Sequence, residues 1–189
     1  YYLANTYPPA LGRRASRIPD IDEDANELGV HTREFTLPGD WVDRRTTIVF
    51  EGVKAGLAVF VNKTFVGYSQ GSFLPAEFDL SAVVRPGRNV VTALVWRYTD
   101  GSYLEDQDMW FFSGIFRPVW LNSEPVDGIR DLWVKPTLEP PYLDGHLTVQ
   151  VDLAPISAVR GGASVEVFLK DPGAAGWRSV ADAAVAAGQ

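Results

Sequence analysis

The chain has 189 residues, 46% hydrophobic and 12% aromatic, enough apolar side chain for a true core and too much for a disordered segment. Its formal net charge of −7 argues against a nucleic-acid binder, which needs a basic face toward phosphate. The absence of cysteine removes disulfides, thiolate zinc sites and cysteine nucleophiles, and no apolar run approaches the roughly 20 residues of a membrane span.

Residues 1–30 read as irregular. They hold Pro8-Pro9, Pro19 and an acidic run from Asp20 to Asp24, and neither strand nor helix periodicity survives there. The chain opens on Tyr1-Tyr2 without Met, so its natural N-terminus and any targeting segment are expected upstream. Asp20-Ile-Asp22-Glu-Asp24 begins like a calcium loop. Ala25 and His31 stand where such a loop needs Gly and Glu, so the run is expected to be a solvated acidic loop.

Short segments rich in β-branched and aromatic residues follow, each bounded by Gly, Pro, Asn or Asp. They are Val30–Leu37, Thr46–Glu51, Gly56–Asn62, Phe65–Ser69, Ala76–Leu80, Asn89–Arg97 and Arg117–Asn122. Lys63-Thr64 is expected to turn a hairpin between the third and fourth, and Pro86-Gly87 a turn before the long sixth. Gly52, Gly56, Gly67 and Gly71 are spaced as turn residues and not as a phosphate loop. Seven strands are one short of a jelly roll, and an upstream strand would supply the eighth. His31 and His146 have no ligand-type cluster nearby in sequence and read as strand-face residues.

A second module begins near Glu124-Pro125. Ile129–Leu138, His146–Leu153 and Ala163–Lys170 are strands, and Leu147-Thr-Val-Gln-Val-Asp-Leu153 alternates most clearly. The alanine-rich tail from Ala181 to Gln189 reads as an edge strand or frayed end. The expectation is an all-β chain. A jelly-roll (galactose-binding-like) β-sandwich occupies residues 1–123. A truncated immunoglobulin-like β-sandwich follows in 124–189, shorter than the roughly 100 residues of a whole one.

The stretch that carries chemistry runs from Trp96 to Arg117, a long loop between two strands crowded with carboxylates, amides and aromatics. Carboxylate and amide oxygens accept hydrogen bonds from vicinal hydroxyls, and aromatic faces pack on the C–H face of a pyranose. Equally, Glu105, Asp106 and Asp108 can bond loop amides while Trp110 fills core. The residues alone leave both readings open.

Tyr68-Ser-Gln70-Gly-Ser-Phe-Leu-Pro75-Ala-Glu77-Phe-Asp-Leu-Ser81, Thr99-Asp-Gly-Ser-Tyr-Leu-Glu-Asp-Gln-Asp-Met-Trp110 and Ser113-Gly-Ile-Phe-Arg117 resemble the N-terminal sugar-binding domain of glycoside hydrolase family 2, large bacterial β-galactosidases above all. The resemblance implies a jelly roll, then an immunoglobulin-like domain, then a TIM barrel that holds both catalytic glutamates and lies outside this chain. No catalytic residue is then expected here. Asp108 matches the family's loop Asp that contacts the galactosyl hydroxyls and a sodium ion. Asn26, in Asn26-Glu-Leu-Gly29, matches a second sugar-contacting position, although the family often has Pro and Tyr where this chain has Glu27 and His31. Sodium and magnesium, a β-galactoside substrate such as lactose, a homo-oligomeric parent and a bacterial cytoplasmic location are implied in the same way. The competing expectations are a stand-alone carbohydrate-binding module and a structural or adhesion β-sandwich.

Overall fold

The computed structural model describes residues 18–105, 112–153 and 163–185. Among them are thirteen strands and no α-helix; the helical turns are three short 3₁₀ segments, Glu23–Ala25, Gly39–Trp41 and Asp100–Tyr103. No helix among the described residues is long and apolar enough to cross a membrane. Two compact units divide between Glu124 and Pro125.

The first unit is a β-sandwich. One sheet has four antiparallel strands in the order β1 (Leu28–Leu37), β7 (Gly87–Trp96), β4 (Gly56–Val61), β5 (Thr64–Ser69). The other has the order β6 (Ala76–Asp79), β2 (Arg45–Phe50), β9 (Val119–Glu124). A two-residue pair, β3 (Val53–Lys54) with β8 (Gly114–Ile115), stands beside them. Alternation explains the core. Leu57, Val59 and Val61 of β4 pair with Val95, Ala93 and Val91 of β7, so one face of the larger sheet is aliphatic. That face packs on Ile48 and Phe50 of β2, with Phe78 and Leu121 added from β6 and β9. Arg45, on the middle strand, ties the smaller sheet together, donating to Glu77 and Asp79 of β6 and to Glu124 of β9.

The seven expected strands are all present. Sequence periodicity missed β3 and β8, because two residues are too few to show a period of two. The β4–β5 hairpin turns at Asn62-Lys63, not at Lys63-Thr64. Thr64 pairs with Val61, and both turn residues have positive φ, 51° and 70°. A two-residue turn of this kind needs left-handed backbone at both positions, which Asn tolerates and β-branched Thr does not. Gly56 and Gly67 lie in strands and not in turns. A Cβ on Gly67 would meet the Phe78 ring at 2.5 Å, so this glycine admits an aromatic ring of the facing sheet.

Asn62 also begins a buried polar network. Its side-chain carbonyl accepts from Val90 N–H, and its amide donates to Val83 C=O and Asn89 Oδ1. Asn89 is fully buried. It donates to the carbonyls of Arg85 and Gly87 and accepts from Arg85 N–H. One side chain thereby satisfies the backbone of the turn at Pro86-Gly87 and locks it to the hairpin tip.

In the second unit β10 (Ile129–Glu139) pairs with β11 (Asp144–Leu153), and β12 (Ala163–Leu169) with β13 (Arg178–Val185), all antiparallel. Leu147, Val149, Val151 and Leu153 face Val165, Val167 and Leu169 around a cavity of about 530 Å³. The alanine-rich segment is strand as far as Val185, paired with β12.

Replacing Asn89 by Ala removes its bonds to the Arg85 and Gly87 backbone and to the Asn62 amide. Unfolding in urea, followed by tryptophan fluorescence, is expected to show a loss of about 3 kcal/mol. A loss below 1 kcal/mol would show that the network is dispensable.

Candidate functional site

The site is built where β7 gives out. Trp96 is the last strand residue, and the backbone beyond it no longer has a ladder to satisfy it. Arg97 N–H finds the carbonyl of Glu27 at 2.9 Å. The Asn26 side chain then serves Tyr98 at both ends: its amide donates to Tyr98 C=O at 2.9 Å and its carbonyl accepts from Tyr98 N–H at 3.0 Å. Asn26 and Glu27 thus continue the β1–β7 pairing before the first residue of β1 and past the last of β7. A Glu27–Arg97 ion pair lies on the same edge.

Next the chain makes the Asp100–Tyr103 turn. Ser102 is buried; its hydroxyl accepts from Thr99 N–H and its own N–H donates to Thr99 C=O. Leu104 and Glu105 both donate N–H to Gly101 C=O. Tyr103 OH reaches the Asp20 carbonyl at 2.7 Å. Glu105 then crosses to the β5–β6 connection, where the fully buried Ser72 donates both its N–H and its hydroxyl to the carboxylate. Beside this pair sits Lys54 of β3, only 3% exposed, with its ammonium 5.2 Å from the centre of the Phe73 ring. Burial holds the Lys54 pKa below the usual lysine value, against the pull of the Glu105 carboxylate.

The returning arm is tied to the same parts. Ser113 Oγ donates to Arg97 C=O at 2.9 Å, closing the neck of the loop. Gly114 pairs with Lys54. Arg117 donates to the carbonyls of Glu51 and Phe73. Next to the outgoing arm lies an open cleft of about 570 Å³, lined by Asn26, Tyr68, Gln70, Trp96, Tyr98 and Asp100 among others. Tyr68 meets Trp96 edge to face, with centroids 6.3 Å apart, and donates its hydroxyl to Gln70. Burial and then the Asp100 carboxylate push the Tyr68 phenol up. Aromatic faces with amide and carboxylate groups are the chemistry that suits polyols.

Of the residues picked out in the sequence, Asn26 lies at the cleft with both ends of its amide on Tyr98. Asp106, Asp108 and Trp110 lie outside the described residues. Glu105 accepts from the N–H and hydroxyl of Ser72 in the β5–β6 connection, and not from an amide of its own loop. The Tyr103 hydroxyl is given to Asp20, and Phe112 is exposed. The acidic run is not wholly solvated: Asp22 is buried and accepts from Asp24 N–H, capping the Glu23–Ala25 turn. His31 and His146 lie exposed on β1 and β11. Among the described residues no group of three His, Asp or Glu could hold a metal ion. Sequence reasoning missed Ser72 and Lys54. Ser72 carries no local signal. Lys54 does, as the one charged residue in the otherwise apolar or small run from Gly52 to Val61.

The sequence model of "Glycosyl hydrolases family 2, sugar binding domain" matches residues 2–125. A β-galactosidase of Psychromonas ingrahamii is 46% identical over 154 residues, covering 82% of this chain and 15% of that protein. One of Klebsiella pneumoniae is 43% identical over 152 residues, covering 80% of this chain and 15% of that protein. The chain thus spans about a seventh of the length of these curated relatives. Among solved structures, a β-glucuronidase of an uncultured Clostridium superposes with TM-score 0.66 at 23% identity, over 82% of this chain and 28% of that one. A Ruminococcus gnavus β-glucuronidase gives 0.62 at 21%, over 84% and 27%. At these identities the superpositions speak for the fold.

The Asn26–Tyr98 clasp yields a direct test. Asn26→Ala removes both side-chain bonds to the backbone of the buried Tyr98 and is expected to destabilise the first unit by about 2 kcal/mol. Asn26→Asp keeps the bond from Tyr98 N–H but turns a carboxylate toward Tyr98 C=O, so it is expected to recover only part of that loss. Thermal melts of the three proteins make the comparison; equal melting points would contradict the clasp.

Proposed function

Because this chain belongs to glycosyl hydrolases family 2 and contains that family's sugar binding domain, we propose that it is the non-catalytic N-terminal part of a β-galactosidase-like retaining hydrolase. Its task in that reading is to present the 106–111 loop, with Asp108, to the galactosyl group held in a TIM barrel. The observation that carries the proposal is the run of relatives named β-galactosidase, whose match extends over four-fifths of this chain. The pinned feet of the loop add physical support, since a side chain that positions a sugar must itself be held still.

In this reading the chemistry divides as follows. A retaining glycosidase needs two carboxyl groups about 5 Å apart across the scissile bond. Glu105 is held by Ser72, and Asp100 is an exposed side chain that accepts from Gly101 N–H; in this reading neither serves as acid or nucleophile. The barrel supplies both groups. Asp108 accepts hydrogen bonds from galactosyl hydroxyls and is the residue of this chain that would face a sodium ion. Asn26 stands at the cleft as a second polar contact. The substrate is a β-galactoside such as lactose, the parent is a cytoplasmic homo-oligomer, and the second unit is the beginning of an immunoglobulin-like domain. Magnesium belongs to the parent, and no step here runs through it.

The pure chain is expected to hydrolyse no chromogenic galactoside; turnover abolished by Asp108→Ala would overturn the division of labour. In the complete enzyme, a hydroxyl bonded to a charged group contributes about 1.5–3 kcal/mol. Asp108→Ala and Asp108→Asn are therefore expected to lower kcat/KM for galactosides by roughly 10- to 200-fold and to weaken the response to sodium. Activity and sodium response within a factor of two of wild type in both variants would refute the role.

A further inference from the structure

We propose that Arg44 and Arg45 form a clamp against peeling. They lock the last residues of β9, so that a pull or twist from the chain beyond is taken up by the sheet and does not unzip its outer strand.

β9 is the outer strand of the β6–β2–β9 sheet and pairs with β2 alone. Its final residue, Glu124, is also the last residue of the first unit. Glu124 pairs with Arg45, the first residue of β2. A strand loaded at its free end opens one pair at a time, and the terminal pair of an edge strand opens most readily. Residues 125–128 are exposed and lie between β9 and β10, so any load from the second unit enters the first at Glu124.

Side-chain bonds are concentrated at this point. Arg45 donates through Nη1 to Glu124 at 3.2 Å. Its other two nitrogens donate to Asp79 at 3.1 Å and Glu77 at 3.0 Å, both on β6, the strand at the opposite side of β2. Asp79 also accepts from Ser81 N–H, and the Ser81 hydroxyl accepts from Thr46 N–H. One guanidinium thus braces the end of β9 on β6 and on the turn that follows it. Arg44 takes the residue before. It donates through Nε to Ser123 Oγ at 2.7 Å and through Nη2 to Ser123 C=O at 3.0 Å. Its own N–H is given to Trp41 C=O, outside the sheet. Two successive arginines therefore hold the last two residues of the unit.

The residue type fits the task. A guanidinium is a rigid fork of donors and can reach three carboxylates on two strands at once, whereas an ammonium is a point charge on a flexible stem. Partly exposed ion pairs add little to the stability of a whole domain. What these contacts change is local: the ease with which the final pair opens, and not the unfolding of the sandwich.

Backbone ¹⁵N relaxation on this chain, with a thermal melt of each protein, tests the clamp. In the natural sequence Ser123 and Glu124 are expected to show order parameters of about 0.85, like the rest of β9. In the variant carrying both Arg44→Ala and Arg45→Ala, the values at Ser123 and Glu124 are expected to fall below about 0.6 while Trp120 and Leu121 stay near 0.85. The melting point is expected to move by less than about 5 °C. Unchanged order at Ser123 and Glu124 in the variant would overturn the inference. So would a larger fall in melting point with order lost evenly over β2, β6 and β9, because the arginines would then support the whole sheet and not its end. Should that variant not fold, Ser123→Ala with Glu124→Ala loosens the same contacts from the β9 side and is judged by the same outcomes at residues 120–124.

Discussion

A loop that leaves a sheet must find new partners for backbone groups that the ladder no longer satisfies, and this constraint shapes the functional end of the first unit. Past Trp96 the partners are lent by side chains. Asn26 closes on both backbone groups of Tyr98, the Ser102 hydroxyl accepts from Thr99 N–H, and Glu105 takes the N–H and hydroxyl of Ser72. Each bond is modest by itself, about 1 kcal/mol net, but leaving any of these groups buried and unanswered costs more. The arrangement holds because every member is needed by its neighbour.

The sandwich supplies the rigid ground for these bonds. Aliphatic faces of β4 and β7 meet β2 across an apolar core, so the end of β7 and the β5–β6 connection are fixed relative to one another. Asn62 and Asn89 do at one end of the larger sheet what Asn26 does at the other: an amide replaces a missing strand partner. The larger sheet is thus finished at both ends by asparagine, whose paired donor and acceptor match a peptide group. This construction fixes the chain on either side of residues 106–111, at Tyr98 on the way out and at Ser113 on the way back.

Much of the fold was legible. Alternation such as Leu147-Thr-Val-Gln-Val-Asp-Leu153 marks a strand, and the structure pairs it with β10 and leaves Val149, Val151 and Leu153 half-buried between exposed neighbours. The misses have particular causes. β3 and β8 are too short for periodicity to register. The hairpin turn was displaced by one residue because Asn62 resembles a strand end until its positive φ is known. Gly67 looked like punctuation, whereas it makes room for Phe78, an aromatic ring from the other sheet. At the site the limit was distance along the chain. Asn26 reaches Tyr98 across 72 residues and Ser72 reaches Glu105 across 33, and no local pattern announces either. The loop was marked out by its composition and its family likeness. How its feet are fastened was not.

The central claim is that the loop's feet are held as firmly as the sheet they spring from. Native-state hydrogen exchange, resolved by residue with NMR on this chain, measures that directly. The account predicts that the amide protons of Tyr98, Ser102 and Ser72 are protected to within about tenfold of those in β7, and that Ser72 loses its protection when Glu105 is replaced by Ala. Exchange of these three amides at the rate of an unstructured peptide, while β7 stays protected, would contradict it.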